Sequence, residues 1–493
     1  MQTIFGVANE ITIRDIQRIR KVPWTQRYAR WWMTFVLLLS DLVALFTAGF
    51  CGIGLRAAMG EGFKMPDHYI RMAPLLLVFI GVYAWRGLYP AVGLSPVVEL
   101  RRVTISTSVV FLLVTAFTFW SRSAGIYSRL AFAFSWFFAL ILVPLTRWLS
   151  RAIAVRLEIW GEPAAVVGYG DQGKRIVEFS LKNVHFGIKP AFVIDGFGSS
   201  QAVGYPIPRL RIDNEDALRT PMKSAGVRTG ILIISEIPEN LQKAFMNRQI
   251  FDFQRIILIA DLQWIGSLGV TPYNLEGLLG LEVRHNLLNA WDQLIKRCFD
   301  IVLGLIAGTC ALPFFVLLSV LIKLDSGGRA LYSQERIGRG GRKFNLWKFR
   351  TMITDADQVL VDYLETHPLA KKEWETTHKL KEDPRVTRMG RFLRKTSLDE
   401  LPQIWNVLKG EMSIVGPRPI VDEETWHYRN CFRLYKSVLP GITGFWQVSG
   451  RNDVGYEFRV RLDEYYVRNW SIWLDIYIML RTVWVVIRGD GAY

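Results

Sequence analysis

Cys298-Phe-Asp-Ile-Val-Leu-Gly-Leu-Ile-Ala-Gly-Thr-Cys-Ala-Leu-Pro-Phe-Phe-Val-Leu-Leu-Ser-Val-Leu-Ile322 decides how this chain is arranged. The block is apolar and long enough to cross a bilayer, which takes about 20 residues. Lys296 and Arg297 precede it, and Lys323 and Arg329 follow it. Basic flanks mark the cytoplasmic side, so both ends claim the same face. Pro313 sits mid-block, where it removes a helical hydrogen bond. Two readings stay open on the residues alone. One is a spanning helix kinked at the proline. The other is a re-entrant hairpin that enters and leaves by one face and keeps residues 323–493 on that face.

Upstream lie four further apolar blocks, Trp31–Phe50, Met72–Tyr89, Val103–Trp120 and Leu130–Leu149. They predict a four-helix transmembrane bundle over 1–150. Trp31, Trp32, Trp120 and Trp148 stand near block ends, where aromatic belts belong. Arg14, Arg18, Arg20, Lys21, Arg27 and Arg30 precede the first block, and Arg147, Arg151 and Arg156 follow the fourth. That bias puts the N-terminus and the residue-150 side in the cytoplasm. The first block is too long for a signal-peptide core. Of the 493 residues, 51% are hydrophobic, which excludes a disordered or fibrous chain. Cys51, Cys298, Cys310 and Cys431 lie far apart, which excludes a disulfide scaffold or zinc ribbon. A net charge of +16 suits nucleic acid, an anionic membrane surface or a phosphorylated substrate. The apolar blocks favour the last two over nucleic acid.

Residues 151–290 read as a Rossmann-like α/β domain. Ala164-Ala-Val-Val-Gly168 is a buried strand, and Gly168-Tyr-Gly-Asp-Gln-Gly173 opens a helix reaching about Lys182. Strand-like runs follow at Ala191–Asp195, Ile231–Ile234 and Ile256–Ile259, the pattern of a parallel sheet. Asp195 falls where a ribose-binding acid would stand. The Tyr-x-x-x-Lys pair of a short-chain oxidoreductase occurs nowhere in the chain. The expectation is therefore a unit without a redox role, binding a regulatory nucleotide or nothing.

Residues 291–493 carry the chemistry. In Lys395-Thr-Ser-Leu-Asp-Glu-Leu-Pro-Gln-Ile-Trp405, Ser397 and Glu400 have capping-box spacing, and Leu398, Leu401, Ile404, Trp405 and Leu408 trace one apolar face. Asp399 and Glu400 then fall in a first turn, where carboxylates are favoured. An ionised carboxylate beside phosphates can attack phosphorus. Lys348, Arg350, Arg385, Arg391, Arg394 and Arg418 supply positive charge nearby in sequence. A helix cap and a solvated basic face explain the same residues without chemistry. Gly416-Pro-Arg-Pro419 is a stiff turn presenting one guanidinium, and Ile337-Gly-Arg-Gly-Gly-Arg342 reads as a hairpin tip. The histidines show no metal-ligand spacing. Trp470–Leu480 reads as an interfacial or a core helix.

From Lys296 to Tyr493 the chain resembles the bacterial sugar transferases, the polyprenyl-phosphate hexose-1-phosphate transferases. Matching runs include Lys296-Arg-Cys-Phe-Asp300, Tyr332-Ser-Gln-Glu-Arg-Ile-Gly338, Trp347-Lys-Phe-Arg-Thr-Met352, Glu382-Asp-Pro-Arg385, Gly390–Gln403, Ser413–Pro419 and Gly441–Asn452. The four N-terminal blocks and the central unit match as well. The resemblance implies transfer of hexose-1-phosphate, galactose before glucose, from a UDP-hexose to undecaprenyl phosphate with release of UMP. It places the enzyme in the bacterial inner membrane, its catalytic domain on the cytoplasmic face. That is the first membrane step of O-antigen, capsule or exopolysaccharide assembly. It implies Asp399 as nucleophile through a covalent phosphosugar, Glu400 as its partner, and Mg²⁺ held by Asp399 and Glu400. It further implies roles for Lys348, Arg394 and Asp475 and a possible homodimer; Arg350 and Arg418 fall on family motif positions, and phosphate contact is the role their guanidiniums suggest. A cytoplasmic UDP-sugar requires a cytoplasmic 323–493, which favours the re-entrant reading of 298–322.

Overall fold

The computed structural model describes residues 28–60, 73–120, 128–168, 170–195, 207, 209–211, 226–239, 242, 253–260, 270–275, 278–283, 286–377, 380, 383–449 and 455–488. The chain divides into two compact units, Met1–Asp261 and Leu262–Tyr493.

The first unit begins with three long helices and a short one: α1 (Ala29–Ala58), α2 (Leu75–Trp85), α3 (Pro96–Trp120) and α4 (Arg129–Arg156). α1, α3 and α4 are long and apolar enough to cross a membrane. α2 corrects the expectation for Met72–Tyr89. Its 11 residues reach about half of what a span needs. Gly87 at φ 69 turns the chain just past its end, and Pro90 follows. Ala44, Leu45, Ala48, Phe79, Tyr83, Val103, Val110, Ala139 and Val143 pack together between these helices.

A second correction concerns Arg147, read as part of the basic flank behind the fourth block. It is buried, and its Nε and Nη2 bind both oxygens of Asp41 at 2.7 and 2.6 Å. Its Nη1 reaches Glu99 at 3.1 Å, and Arg151 holds Glu99 through two bonds of 2.9 Å. Two carboxylates and two guanidiniums cancel. Buried charge this deep is tolerable only when each group is paired.

The parallel sheet expected within 151–290 is present. β1 (Glu162–Val167), β2 (Ile188–Asp195), β3 (Arg209–Arg211), β4 (Thr229–Ile233) and β5 (Arg255–Ile259) lie in the order β3-β2-β1-β4-β5. Every described pairing in it is parallel. Buried Ala164, Val166, Val193, Ile231 and Ile233 share its core with Val177 of α5 (Asp171–Lys182). β3, only three residues long, left no readable apolar run.

The second unit opens with the hairpin β6 (Val270–Leu275) and β7 (Leu278–Val283), then α6 (Ala290–Asp325). α6 contains the decisive block as one helix of 36 residues with Pro313 inside it. Asn289 caps its start through Trp291 N at 3.2 Å. β8 (Leu331–Ile337) and β9 (Lys343–Phe349) form the antiparallel hairpin whose tip was expected at 337–342. Gly340 and Gly341 there adopt φ 72 and 78. There follow α7 (Ala356–Thr366), α8 (Pro368–Thr377), α9 (Arg388–Thr396), α10 (Gln403–Lys409), β10 (Ser413–Val415), β11 (Gly441–Thr443), α11 (Tyr456–Asn469) and α12 (Ile472–Arg488).

Both halves of α6 rest on this one unit. Gly304 and Gly308, spaced i,i+4, let α10 approach: a Cβ on Gly304 would stand 3.1 Å from Leu408, and one on Gly308 3.5 Å from Ile404. Arg297 donates to the carbonyls of Val407 and Leu408 at 2.6 and 2.9 Å, capping the C-terminus of α10. Leu318 and Ile322, in the other half, pack with Ala330, Phe349 and Leu393. Val302, Leu305, Ile306, Leu312, Val316 and Val320 stay exposed along the length of α6. So long an apolar surface belongs against lipid or protein.

Candidate functional site

Asn406, fully buried in α10, fixes the site's backbone. Its Oδ1 accepts from Trp347 N at 3.1 Å and its Nδ2 donates to Asn345 O at 2.8 Å, pinning β9 to α10. Lys348 follows directly on β9. On the other side, α9 starts at Thr387, whose hydroxyl accepts from Gly390 N at 2.9 Å, and ends at Ser397. Ser397 is left-handed, φ 55, and turns the chain into a 3-10 turn over Leu398–Glu400. The capping box expected between Ser397 and Glu400 does not form: Ser397 makes no side-chain cap, and the turn precedes α10. Of the expected apolar face, Leu398 and Leu401 pack on the Leu393 cluster, whereas Trp405 stands 57% exposed.

This turn presents Asp399 and Glu400 to Lys348. The ammonium lies 2.8 Å from Glu400 Oε1 and 3.6 Å from Asp399 Oδ2. Burial pushes the Asp399 carboxyl above the usual carboxylate range, Glu400 adds to the rise, and Lys348 and Arg394 oppose it. Arg394 Nε donates to the Thr351 hydroxyl at 3.0 Å, which aims the guanidinium. Burial lowers the Arg394 pKa, and Asp383 and Asp399 counter that.

Arg418 arrives from another direction. β10 pairs in parallel with β11, and Gly416 N donates to Thr443 O at 2.9 Å while Gly441 N donates to Pro417 O at 2.8 Å. A Cβ on Gly416 would stand 2.7 Å from Leu439 O, so that approach needs glycine. The exposed Arg418 guanidinium lies over the Trp446 ring, 5.6 Å from its centroid. Arg336, Lys348, Glu400, Gln403, Arg418 and Gln447 line one pocket. Three cations face one carboxylate there, a lining suited to a polyanion.

Other expected residues lie elsewhere. Arg350 donates to the carbonyl of Ser326 and, at 3.1 Å, to its hydroxyl, so its guanidinium closes the end of α6 rather than the pocket. Arg385 is held bidentately by Asp383 at 2.8 and 2.6 Å, and Arg391 points to solvent. Asp475 is buried and accepts from Tyr466 at 2.8 Å, from Trp470 at 3.1 Å and from Lys296 at 2.8 Å. The same Tyr466 hydroxyl also lies 2.8 Å from Val415 O, directly before the turn that carries Arg418, so its one proton is shared between the carboxylate and that carbonyl. Asp475 thus positions that turn. Arg336, Gln403 and Asn406 escaped the sequence reading. Arg336 had a signal within Tyr332–Gly338; Asn406 had only an amide in an apolar helical pattern.

In α11, buried Asp463 accepts from Tyr428 at 2.7 Å, and burial pushes its carboxyl up to about 7. A carboxyl with a raised folded pKa holds its proton more tightly in the folded chain. Its contribution is full below about pH 4 and is lost as pH rises through about 7. Asp463→Asn is therefore expected to flatten the fall in stability between about pH 5 and pH 8. Urea midpoints of the detergent-solubilised protein at both pH values check it, and equal pH slopes in variant and wild type would refute it.

Among the described residues no group of three or more His, Cys, Asp or Glu side chains could hold a metal. Asp399 and Glu400 are two adjacent hard oxygen donors, the ligand type Mg²⁺ takes.

Residues 291–489 match the family model described as bacterial sugar transferase. The UDP-galactose-lipid carrier transferase of Erwinia amylovora is 35% identical over 398 residues, 80% of this chain and 82% of that protein. The undecaprenyl-phosphate galactose phosphotransferase of Salmonella typhimurium is 35% identical over 404 residues, with the same coverage. The UDP-glucose:undecaprenyl-phosphate glucose-1-phosphate transferase of Escherichia coli is 35% identical over 247 residues, 48% of this chain and 50% of that protein. The family match contains Asp399 and every residue that lines the pocket, Lys348, Glu400 and Arg418 among them, and the chain belongs to the bacterial sugar transferase family.

Proposed function

We propose that the chain transfers hexose-1-phosphate, galactose-1-phosphate first, from a UDP-hexose to undecaprenyl phosphate. The Lys348–Asp399–Glu400 cluster, two of whose members line a pocket with three cations, carries this reading. An Asp399 oxygen attacks the sugar-bearing phosphorus, an O–P bond forms, and the bond to the bridging oxygen breaks so that UMP leaves with it. A phosphate oxygen of the lipid then attacks the same phosphorus and frees Asp399. Neither step requires a net proton, so positioning and charge neutralisation do most of the work. Lys348 and Arg394 keep Asp399 ionised against its burial, while Arg336 and Arg418 receive the diphosphate. Mg²⁺, held by Asp399 and Glu400, would neutralise phosphate charge when bound.

A lipid phosphate must meet a water-soluble sugar nucleotide at headgroup depth. A re-entrant α6 suits that need: both its halves rest on one unit and its outer face is apolar. The site then faces the cytoplasm of a bacterial inner membrane. Glucose is the alternative sugar, since relatives named for either hexose align with the chain. UMP release from a panel of UDP-sugars with undecaprenyl phosphate and Mg²⁺ tests the reading. Turnover with UDP-galactose above UDP-glucose is expected; turnover with no UDP-hexose would overturn it.

A further inference from the structure

The proposed reaction leaves the Gly168–Gly173 loop without a task. In a dinucleotide-binding unit these amides, at the start of the helix after the first strand, face the diphosphate. Here a carboxylate of the chain itself is already in place. Glu236, in the short 3-10 turn behind β4, accepts from Gly170 N at 2.6 Å through Oε2. Through Oε1 it accepts from Gln172 N at 2.9 Å and from Gly173 N at 3.4 Å. The glycine spacing answers to the same side chain. A Cβ on Gly170 would stand 2.7 Å from Glu236 Oε1, and one on Gly168 would stand 3.1 Å from Glu236 Cβ. At Gly173 a Cβ would meet Gly168 O at 2.6 Å and Glu236 Oε2 at 3.2 Å. The turn that aims Glu236 is itself clamped, because Gln242 Nε2 donates to Ile234 O at 2.9 Å and to Ile237 O at 2.7 Å.

We propose that Glu236 is a built-in anion standing where a dinucleotide's diphosphate would sit, so that this α/β unit keeps the dinucleotide-binding sheet order and glycine loop but is closed to dinucleotides. A carboxylate satisfies the orphan amides and the positive end of α5 as a phosphate would. It comes tethered, without the entropy lost on capturing a free ligand. A second anion entering the loop would meet like charge at hydrogen-bonding distance. The loop then serves to join β1, β4 and α5, and the unit has no nucleotide to sense through it.

Equilibrium dialysis of the full chain in detergent with labelled NAD⁺, excess UDP being present to mask the pocket of the other unit, tests the closure. Wild type is expected to show no saturable binding up to about 1 mM, a floor weaker than a working nucleotide site. Saturable micromolar binding would overturn the proposal whatever the variants do. Thermal melting tests the carboxylate. Glu236→Ala is expected to melt several degrees lower or fail to fold, with Glu236→Gln in between. With the same excess of UDP masking the pocket of the other unit, inorganic pyrophosphate should raise the melting temperature of any folded Glu236→Ala and leave wild type unchanged. A Glu236→Ala protein that melts with wild type, with and without pyrophosphate, would equally overturn it. None of these readouts depends on sugar-phosphate transfer, so this inference and the proposed reaction fail separately.

Discussion

Asp399→Asn is expected to lower UMP release from UDP-galactose by roughly 10⁴-fold or more, the scale on which losing a covalent nucleophile acts. The amide has the shape of the carboxylate but no lone pair basic enough to attack phosphorus. Lys348 retains Glu400 at 2.8 Å in the variant, so the turn keeps its principal ion pair. An unchanged melting temperature beside the lost activity separates chemistry from folding. A variant within tenfold of wild type would remove Asp399 from the reaction. The acid limb of the wild-type pH profile carries a second reading. Burial and Glu400 raise the Asp399 pKa, and attack needs the ionised form, so activity should begin to fall at a pH above the usual carboxylate range. Lys348→Met removes a cation that opposes that rise and should move the limb to higher pH. A limb that stays in place in Lys348→Met would mean that a different group governs it.

Lys296→Met is expected to be the most destabilising single change in the second unit. The Lys296 ammonium lies 3.0 Å from Asp300 and 2.8 Å from Asp475, and all three side chains are buried. Removing the cation leaves two carboxylates sequestered together, a cost of about 3–5 kcal/mol. The strain falls where Asp300 accepts from Ile414 N at 3.2 Å and Tyr466 holds Val415 O, so β10 and the Arg418 turn should loosen with it. Denaturation in detergent reads the loss. Lys296→Met combined with Asp475→Asn should recover part of it, because one of the stranded charges is gone. Equal stability of Lys296→Met and wild type would show that the network holds nothing.

Much of this architecture is written locally. The apolar blocks at 31–50, 103–120 and 130–149 became long helices because a run of that length has no other way to satisfy its backbone in lipid. The parallel strands were legible as four- and five-residue apolar runs between helical stretches, and the 337–342 tip as glycines at a hairpin turn. The 72–89 block misled because composition does not show where a turn interrupts it, as Gly87 does. Arg147 misled because a cation near a helix end reads as a flank until its partners Asp41 and Glu99 come from two other helices.

The candidate site divides in the same way. Asp399 and Glu400 stand side by side in the chain; spacing alone left a helix cap as good an explanation, and the family resemblance singled them out. Six basic residues looked alike in one dimension. Pairing sorted them in three: Asp383 takes Arg385, Ser326 takes Arg350, solvent takes Arg391, and Lys348, Arg394 and Arg418 remain around the carboxylates or the pocket. The glycine loop shows the limit most plainly. Its spacing names a cradle for an anion, but whether that anion is a ligand or Glu236 depends on a residue 63 positions beyond Gly173. Periodicity and composition report the energies of neighbours along the chain. Which charge meets which across the fold is settled by packing, because burial makes pairing compulsory and distance in sequence says nothing about who supplies the partner.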